Sequence, residues 1–207
     1  MNSFNLKKAI PFVVLIASLF AGSTAMAKSN DVADAQRKIM TITTSVVNEL
    51  GKNKARYQSD AKFLDSMIRR DMLPVIDFDG MAKLTLGKHW RKASASQRIR
   101  FTNAYREMLI RSYGKIMLKY AGASIRSGNS VAGKRAGYVI VRTVVTPRGG
   151  VPVAANYDVR KLSGKWKAYN VQVGSVNLIT NFRTNFTREV SAKGLEALIA
   201  RLNKTKK

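Results

Sequence analysis

Between Tyr138 and Val173 the chain alternates apolar and polar residues with a period of two, and on either side of that stretch the apolar residues recur every three or four positions. The alternating part predicts strands over Tyr138–Thr146, Val151–Arg160 and Trp166–Val173. Turn residues Pro147-Arg148-Gly149-Gly150 join the first two and Ser163-Gly164 precedes the third. Connections this short require antiparallel pairing. In the second run Val151, Val153, Ala155, Tyr157 and Val159 share one face, opposite Asn156, Asp158 and Arg160, and in the third Tyr169, Val171 and Val173 alternate together. One face of the sheet therefore needs a cover.

The helical periodicity supplies that cover. Val32, Ala35, Ile39, Ile42, Val46 and Leu50 form one stripe over Asp31–Leu50, and Phe63, Leu64, Met67, Ile68 and Met72 form a second, limited by Pro74. A short helix follows, capped by Asp77 or Asp79. Ser94-Ala-Ser-Gln97 has the spacing of a capping box and opens what the pattern predicts as the longest helix, ending near Tyr120 before Gly122. Its stripe is Phe101, Tyr105, Met108, Leu109, Ser112, Ile116 and Tyr120. A first strand near Ile125 leads through Gly128–Arg135 into Tyr138. After the sheet, Val176, Leu178, Ile179, Phe182 and Phe186 mark one helix, and Leu195, Leu198, Ile199 and Leu202 a last one.

Charge and the N-terminus change this picture more than composition does. The 207 residues carry 37 Lys and Arg against 12 Asp and Glu, a formal +25, which favours nucleic acid, an anionic membrane surface or an acidic partner. Lys7 and Lys8 precede an apolar run from Ala9 to Phe20 and an Ala25-Met26-Ala27 cleavage motif, so residues 1–27 read as a signal peptide. The run is shorter than the ~20 residues of a spanning helix. The mature chain is expected to start at Lys28, without the lipid-bearing Cys of a lipoprotein, and to work in the periplasm as one domain over 28–207, where nucleic acid is seldom met. Within it the helices occupy 31–122, the sheet about 124–173 and the C-terminal helices 175–204.

Chemistry that needs particular residues finds little here. There is no cysteine, and His89 is the single histidine, so neither a disulfide nor a metal site of two histidines is available, and no metal or other cofactor is expected. The spacing of Asp77 and Asp79 suits capping better than acid–base work. Gly128-Asn-Ser-Val-Ala-Gly133-Lys134 matches the start of a phosphate loop, but Arg135 replaces the Ser or Thr that would hold magnesium, and the segment leads into a strand. No G-x-S-x-G motif is present. No catalytic residue is assigned and no enzyme is expected; the charge alone allows an exported basic module that binds polyanions or nucleic acid.

Two long runs carry a family resemblance. Asp77-Phe-Asp79…Leu86-Gly87-Lys-His-Trp90-Arg91, followed by Gln97-x3-Phe101…Leu109…Tyr113…Tyr120, resembles the first signature of the MlaC family of periplasmic phospholipid-binding proteins, also called toluene-tolerance proteins. Trp166-Lys-Ala-Tyr-Asn-Val…Leu178-Ile-Thr-Asn-Phe-Arg183…Phe186, with Gly194-Leu195…Leu198-Ile199, resembles the second. Asn170 stands where the family commonly has Asp, and Gly174-Ser-Val-Asn177 where it has Glu-Gly-x-Ser. The resemblance implies an α+β fold with an antiparallel sheet of about four strands, packed on one face by amphipathic helices with a lipid cavity between. It implies a monomeric carrier of phospholipid as cargo, maintaining outer-membrane lipid asymmetry. Its partners would be an outer-membrane lipoprotein in a porin complex and an inner-membrane ABC transporter with an MCE-domain ring, and no nucleic acid. The wall residues, read from the periodicities, are Tyr105, Leu109 and Tyr113; Val139, Val141, Val153, Tyr157, Tyr169, Val171 and Val173; and Leu178 and Phe182.

Overall fold

A computed structural model describes residues 20–204. The expected leader, residues 1–27, lies largely outside the described residues. The fold is α+β. Helix α1 spans Phe20–Lys52, longer than the Asp31–Leu50 stripe alone predicts. Helices α2 (Lys54–Ser59) and α3 (Ala61–Met67) follow, then a π-helical turn over Ile68–Met72 and a 3-10 turn over Leu73–Val75. Pro74 sits inside that last turn, where its missing N–H is tolerated, so the helical path changes pitch before Pro74 instead of stopping. Helix α4 is Phe78–Leu86, α5 is Lys88–Lys92, and α6 is Ala95–Met117 with a 3-10 turn over Leu118–Tyr120.

Both predicted caps form. The Gly80 N–H donates to Asp77 Oδ1 at 2.9 Å, which makes Asp77 the cap of α4. The Gln97 N–H donates to the Ser94 hydroxyl while the Ser94 N–H donates to Gln97 Oε1, closing the capping box of α6. At 23 residues α6 is not the longest helix, because α1 has 33 and α7 (Leu178–Lys204) has 27. Helix α7 contains both predicted C-terminal helices, bent at Gly194, whose φ of 83° suits glycine.

The sheet has six antiparallel strands: β1 Ser124–Ser127, β2 Val131–Ala132, β3 Tyr138–Thr146, β4 Val153–Leu162, β5 Lys165–Val173 and β6 Val176–Asn177. The order is β1-β3-β4-β5-β6, with β2 also on β3. The two strands beyond the expected four, β2 and β6, have two residues each. Val151 lies before β4 and is 77% exposed, and Val176 belongs to β6, not to a helix. Along β3 the residues Val139, Val141, Thr143 and Val145 are all buried, the period-two signature of a strand covered on one face.

Helix α1 provides that cover. Ala35 and Ile39, four apart, pack with Val139, Val141, Val159, Trp166 and Ala168. The Trp166 indole donates to Asp34 Oδ2 at 2.8 Å, tying α1 to β5 and holding the Asp34 carboxyl below its ordinary range. One turn or more later the stripe divides. Val47 continues over the sheet with Ala123, Val145 and Ala155, while Val46 and Leu50 turn to Tyr57, Leu64, Met67 and Ile68. The end of α1 reaches the end of α6 through glycine: Gly122 N–H donates to the Val47 carbonyl at 2.8 Å, and a Cβ on Gly51 would stand 2.9 Å from Gly122 Cα.

Two ion pairs lock helices to their neighbours. Arg160 of β4 reaches Asp77 at 2.5 Å, with the Asp77 side chain only 5% exposed. Arg69 forks onto Glu107 of α6 at 3.1 and 2.6 Å while also binding Asp65 at 2.7 Å. Asp77→Ala removes a cap and leaves Arg160 unpaired, and is expected to cost about 2–4 kcal/mol in urea unfolding. Asp77→Asn, which keeps the cap oxygen, should lose clearly less. The Arg69 guanidinium lowers the Glu107 pKa, so the pair stabilises above the ordinary carboxylate range and the benefit fades as pH falls through the lowered value. Both side chains are partly exposed. The stability gap between wild type and Glu107→Gln should therefore be about 0.5–1 kcal/mol at neutral pH. It should shrink as pH falls below the ordinary carboxylate range and close once Glu107 is protonated in the folded protein.

Candidate functional site

The apolar residues predicted to form a wall separate into two kinds. Some are closed entirely by protein. Tyr105 is 0% exposed, at the centre of an aromatic group with Phe101, Phe182 and Phe186 at ring distances of 5.7, 5.7 and 5.9 Å. Burial raises its phenol to about 12, and the Thr85 hydroxyl donates to it at 3.2 Å. Leu109 is buried in the same cluster of α4, α6 and α7. Val139 and Val141, at 1% and 0%, belong to the α1–sheet cluster. In this structure these four residues form ordinary core, and no part of Tyr105 or Val141 is open to another molecule.

The others keep accessible apolar surface. Val153, Tyr157, Val171 and Val173 on the sheet, and Tyr113, Leu178 and Phe182 on the helices, are all half-buried. The strand register explains why the sheet members belong together: Tyr157 lies opposite Val171 and Ala155 opposite Val173, so these side chains rise from the same face that α1 covers farther along. Val47 and Tyr120 flank Tyr157 and Val173 on one side. On the other, Val173 pairs with Val176, and the chain runs directly into Leu178 and Phe182 at the start of α7. Phe182 meets Tyr113 edge-on at 6.3 Å. The seam thus lies where the α1–sheet packing gives way to the α4–α6–α7 packing. Tyr157 carries its signature: burial pushes its phenol up to about 12, yet the side chain remains partly accessible.

Tyr169 does not belong with them. Strand β5 bulges between Asp158 opposite Asn170 and Val159 opposite Ala168, which leaves Tyr169 as the extra residue. The bulge breaks the simple alternation: Tyr169 turns to Tyr138 on the other face, at a ring distance of 5.9 Å, while Val171 and Val173 stay on the apolar face with Trp166 and Ala168. Counting by twos along the sequence cannot see an inserted residue. The departure at Asn170 also finds its reason here, because the Asn170 amide donates to Asp158 Oδ2 at 2.9 Å, where a second carboxylate would repel.

Two clefts open elsewhere. One of about 390 Å³ is polar, lined by Ser45, Asn48, Glu49, Lys52, Arg70 and Asp71. One of about 330 Å³ is lined by Lys83, Leu84, Gly87, Lys88, Trp90, Arg91 and Arg183. Neither includes a residue chosen from the periodicity. Residues 83–91 form most of the second, and only the fold brings Arg183 of α7 to them. Among the described residues no group of three His, Asp or Glu is placed to hold a metal, and no helix is long and apolar enough to cross a membrane. His89 lies 3.4 Å from the Ser191 hydroxyl, its pKa lowered by burial and by Lys88 and Lys92.

Comparison with known proteins decides the family. The family model described as MlaC protein matches residues 40–204. This chain belongs to the MlaC family. The toluene tolerance protein ttg2D of Pseudomonas putida is 30% identical over 155 residues, covering 73% of this chain and 71% of its own length. The intermembrane phospholipid transport system binding protein MlaC of Haemophilus influenzae is 21% identical over 209 residues, covering 99% and 96%. A phospholipid-binding protein from Ralstonia solanacearum, solved in complex with a phospholipid, shares the fold at a TM-score of 0.74 and 21% identity, over 82% of this chain and 95% of that one.

The seam geometry has a spectroscopic consequence. In an alkaline titration followed by phenolate absorbance, Tyr157 should remain protonated well above the ordinary value near 10. Tyr157→Phe should remove one late-titrating phenol and leave the early ones unchanged; loss of an early one instead would place Tyr157 in open solvent.

Proposed function

We propose that this MlaC-family protein is a periplasmic carrier that holds the acyl tails of a phospholipid at the seam formed by Val153, Tyr157, Val171, Val173, Tyr113, Leu178 and Phe182. The observation that carries the reading is this set of half-buried apolar side chains at the borders of two closed cores, in a chain whose relatives include a phospholipid transport binding protein and whose fold matches that of a protein holding a phospholipid. The residues fit the task. Each methylene exposed to water costs about 0.8 kcal/mol, so a single tail costs roughly 10 kcal/mol and leaves a bilayer very slowly unaided. A dry apolar seam offsets that cost without any catalytic group. The head group would remain at the edge, in contact with water.

The signal-peptide pattern supports a periplasmic address. The family resemblance supports exchange between an outer-membrane lipoprotein in a porin complex and an inner-membrane ABC transporter with an MCE-domain ring. The cationic exterior supports attraction to anionic surfaces, an effect that weakens with salt.

Val171→Glu sets an ionising group into the seam at a position that is half-buried. Native mass spectrometry of the purified variant should show bound phospholipid reduced at least tenfold with the fold retained, because tail burial would strand the carboxylate. Val141→Glu, inside the closed α1–sheet core, should unfold the protein instead. Undiminished lipid on folded Val171→Glu would refute the placement. Lipid-free wild type with salt-sensitive affinity for DNA would favour a polyanion-binding module.

A further inference from the structure

The basic cleft of α4, α5 and α7 has no part in the seam. It opens between the C-terminal end of α4, the short α5 and Arg183 of α7, and its wall contains four cations, two apolar side chains and a glycine but no carboxylate. Elsewhere Arg69, Arg100, Arg160 and Arg201 are each held by an acid. Among the described residues Lys83, Lys88, Arg91 and Arg183 have no carboxylate within 4 Å. Arg183 is nonetheless fixed in place. Its Nε and Nη2 donate to the Leu84 carbonyl at 2.8 and 2.5 Å, which leaves its other N–H groups free to meet an acceptor from outside.

Trp90 supplies the second element. It is half-buried in the cleft wall, with the Arg98 guanidinium 5.4 Å over its ring and Arg98 Nε donating to the Trp90 carbonyl at 3.1 Å. Cations around an amphipathic indole and a leucine are the combination that suits a bilayer interface, where phosphates lie beside glycerol and the first methylenes. Free inorganic phosphate would use the cations but gain nothing from Trp90 and Leu84, and a nucleic acid track would call for a longer groove. The lowered pKa of His89 reflects in part the positive field of Lys88 and Lys92 at this corner.

We infer that the cleft of Lys83, Lys88, Trp90, Arg91 and Arg183 is a docking site for the phosphodiester head groups of an anionic phospholipid bilayer. Phe182 points into the aromatic core, whereas Arg183, about 100° farther round α7, reaches the outer cleft. The inference extends the carrier reading by giving the protein a place to rest on a membrane. It does not depend on tail binding, so each can fail without the other.

The test is flotation of the full chain with vesicles of phosphatidylcholine, with and without phosphatidylglycerol, alongside the double variant Lys88→Glu, Arg91→Glu. Both positions are exposed, so folding should be unaffected. The control is Lys38→Glu, Lys62→Glu, which changes net charge equally at exposed sites on α1 and α3. Each basic residue near an anionic surface is worth roughly fivefold in affinity. The cleft variant should therefore bind phosphatidylglycerol vesicles at least tenfold more weakly, and the control should lose far less. Wild-type Trp90 emission should shift to the blue on binding, since Trp166 is already buried. Equal losses in both variants would assign binding to diffuse charge and overturn the site. So would indifference to phosphatidylglycerol, displacement by millimolar inorganic phosphate alone, or binding of polyglutamate with none to vesicles. Lipid stoichiometry measured on the same samples reports separately on the seam.

Discussion

The apolar face of the sheet must be removed from water, and helix α1 removes only part of it. Ala35 and Ile39 can lie directly on Val139, Val141 and Val159 because alanine lets the helix axis approach the strands closely, and the Trp166–Asp34 hydrogen bond fixes the crossing. Farther along, the stripe on α1 divides, one side following the sheet through Val47 and the other leaving it for Leu64 and Met67. Where the division occurs, Tyr157, Val171 and Val173 remain partly uncovered. The opening is a consequence of how one helix serves two clusters.

A second core borders that opening. Around Tyr105 the rings of Phe101, Phe182 and Phe186 meet mostly edge to face, and the Thr85 hydroxyl satisfies the one buried phenol. This core holds α4, α6 and α7 to one another through side chains that lie off the sheet. The bend at Gly194 brings Leu198 and Leu202 back to the same cluster, closing its far end.

Much of this was legible in local pattern. The caps at Asp77 and Ser94, the strands β3 to β5 and most of the helical stripes rest on neighbours within four residues and form as the periodicity requires, whereas Ser112 and Ile116, assigned to the α6 stripe, are exposed. The candidate wall was less legible. Tyr105 and Val141 have the same periodicity as Tyr113 and Val171, and only the tertiary arrangement of α1 and the aromatic core separates closed from open. The bulge at Tyr169 is a property of two strands together. The basic cleft joins Leu84 to Arg183 across the whole sheet in sequence, and a run of lysines and arginines in a chain of +25 carries no local mark of it.

The central claim is that lipid tails lie against the seam. The direct measurement is photocrosslinking of the protein loaded with a phospholipid carrying a diazirine near the end of one tail, followed by peptide mapping. Adducts on the peptides of Tyr157, Val171 and Val173, and of Leu178 and Phe182, are the predicted result. Adducts confined to the Lys88–Arg91 cleft, or spread over the surface with none on β5, would contradict it.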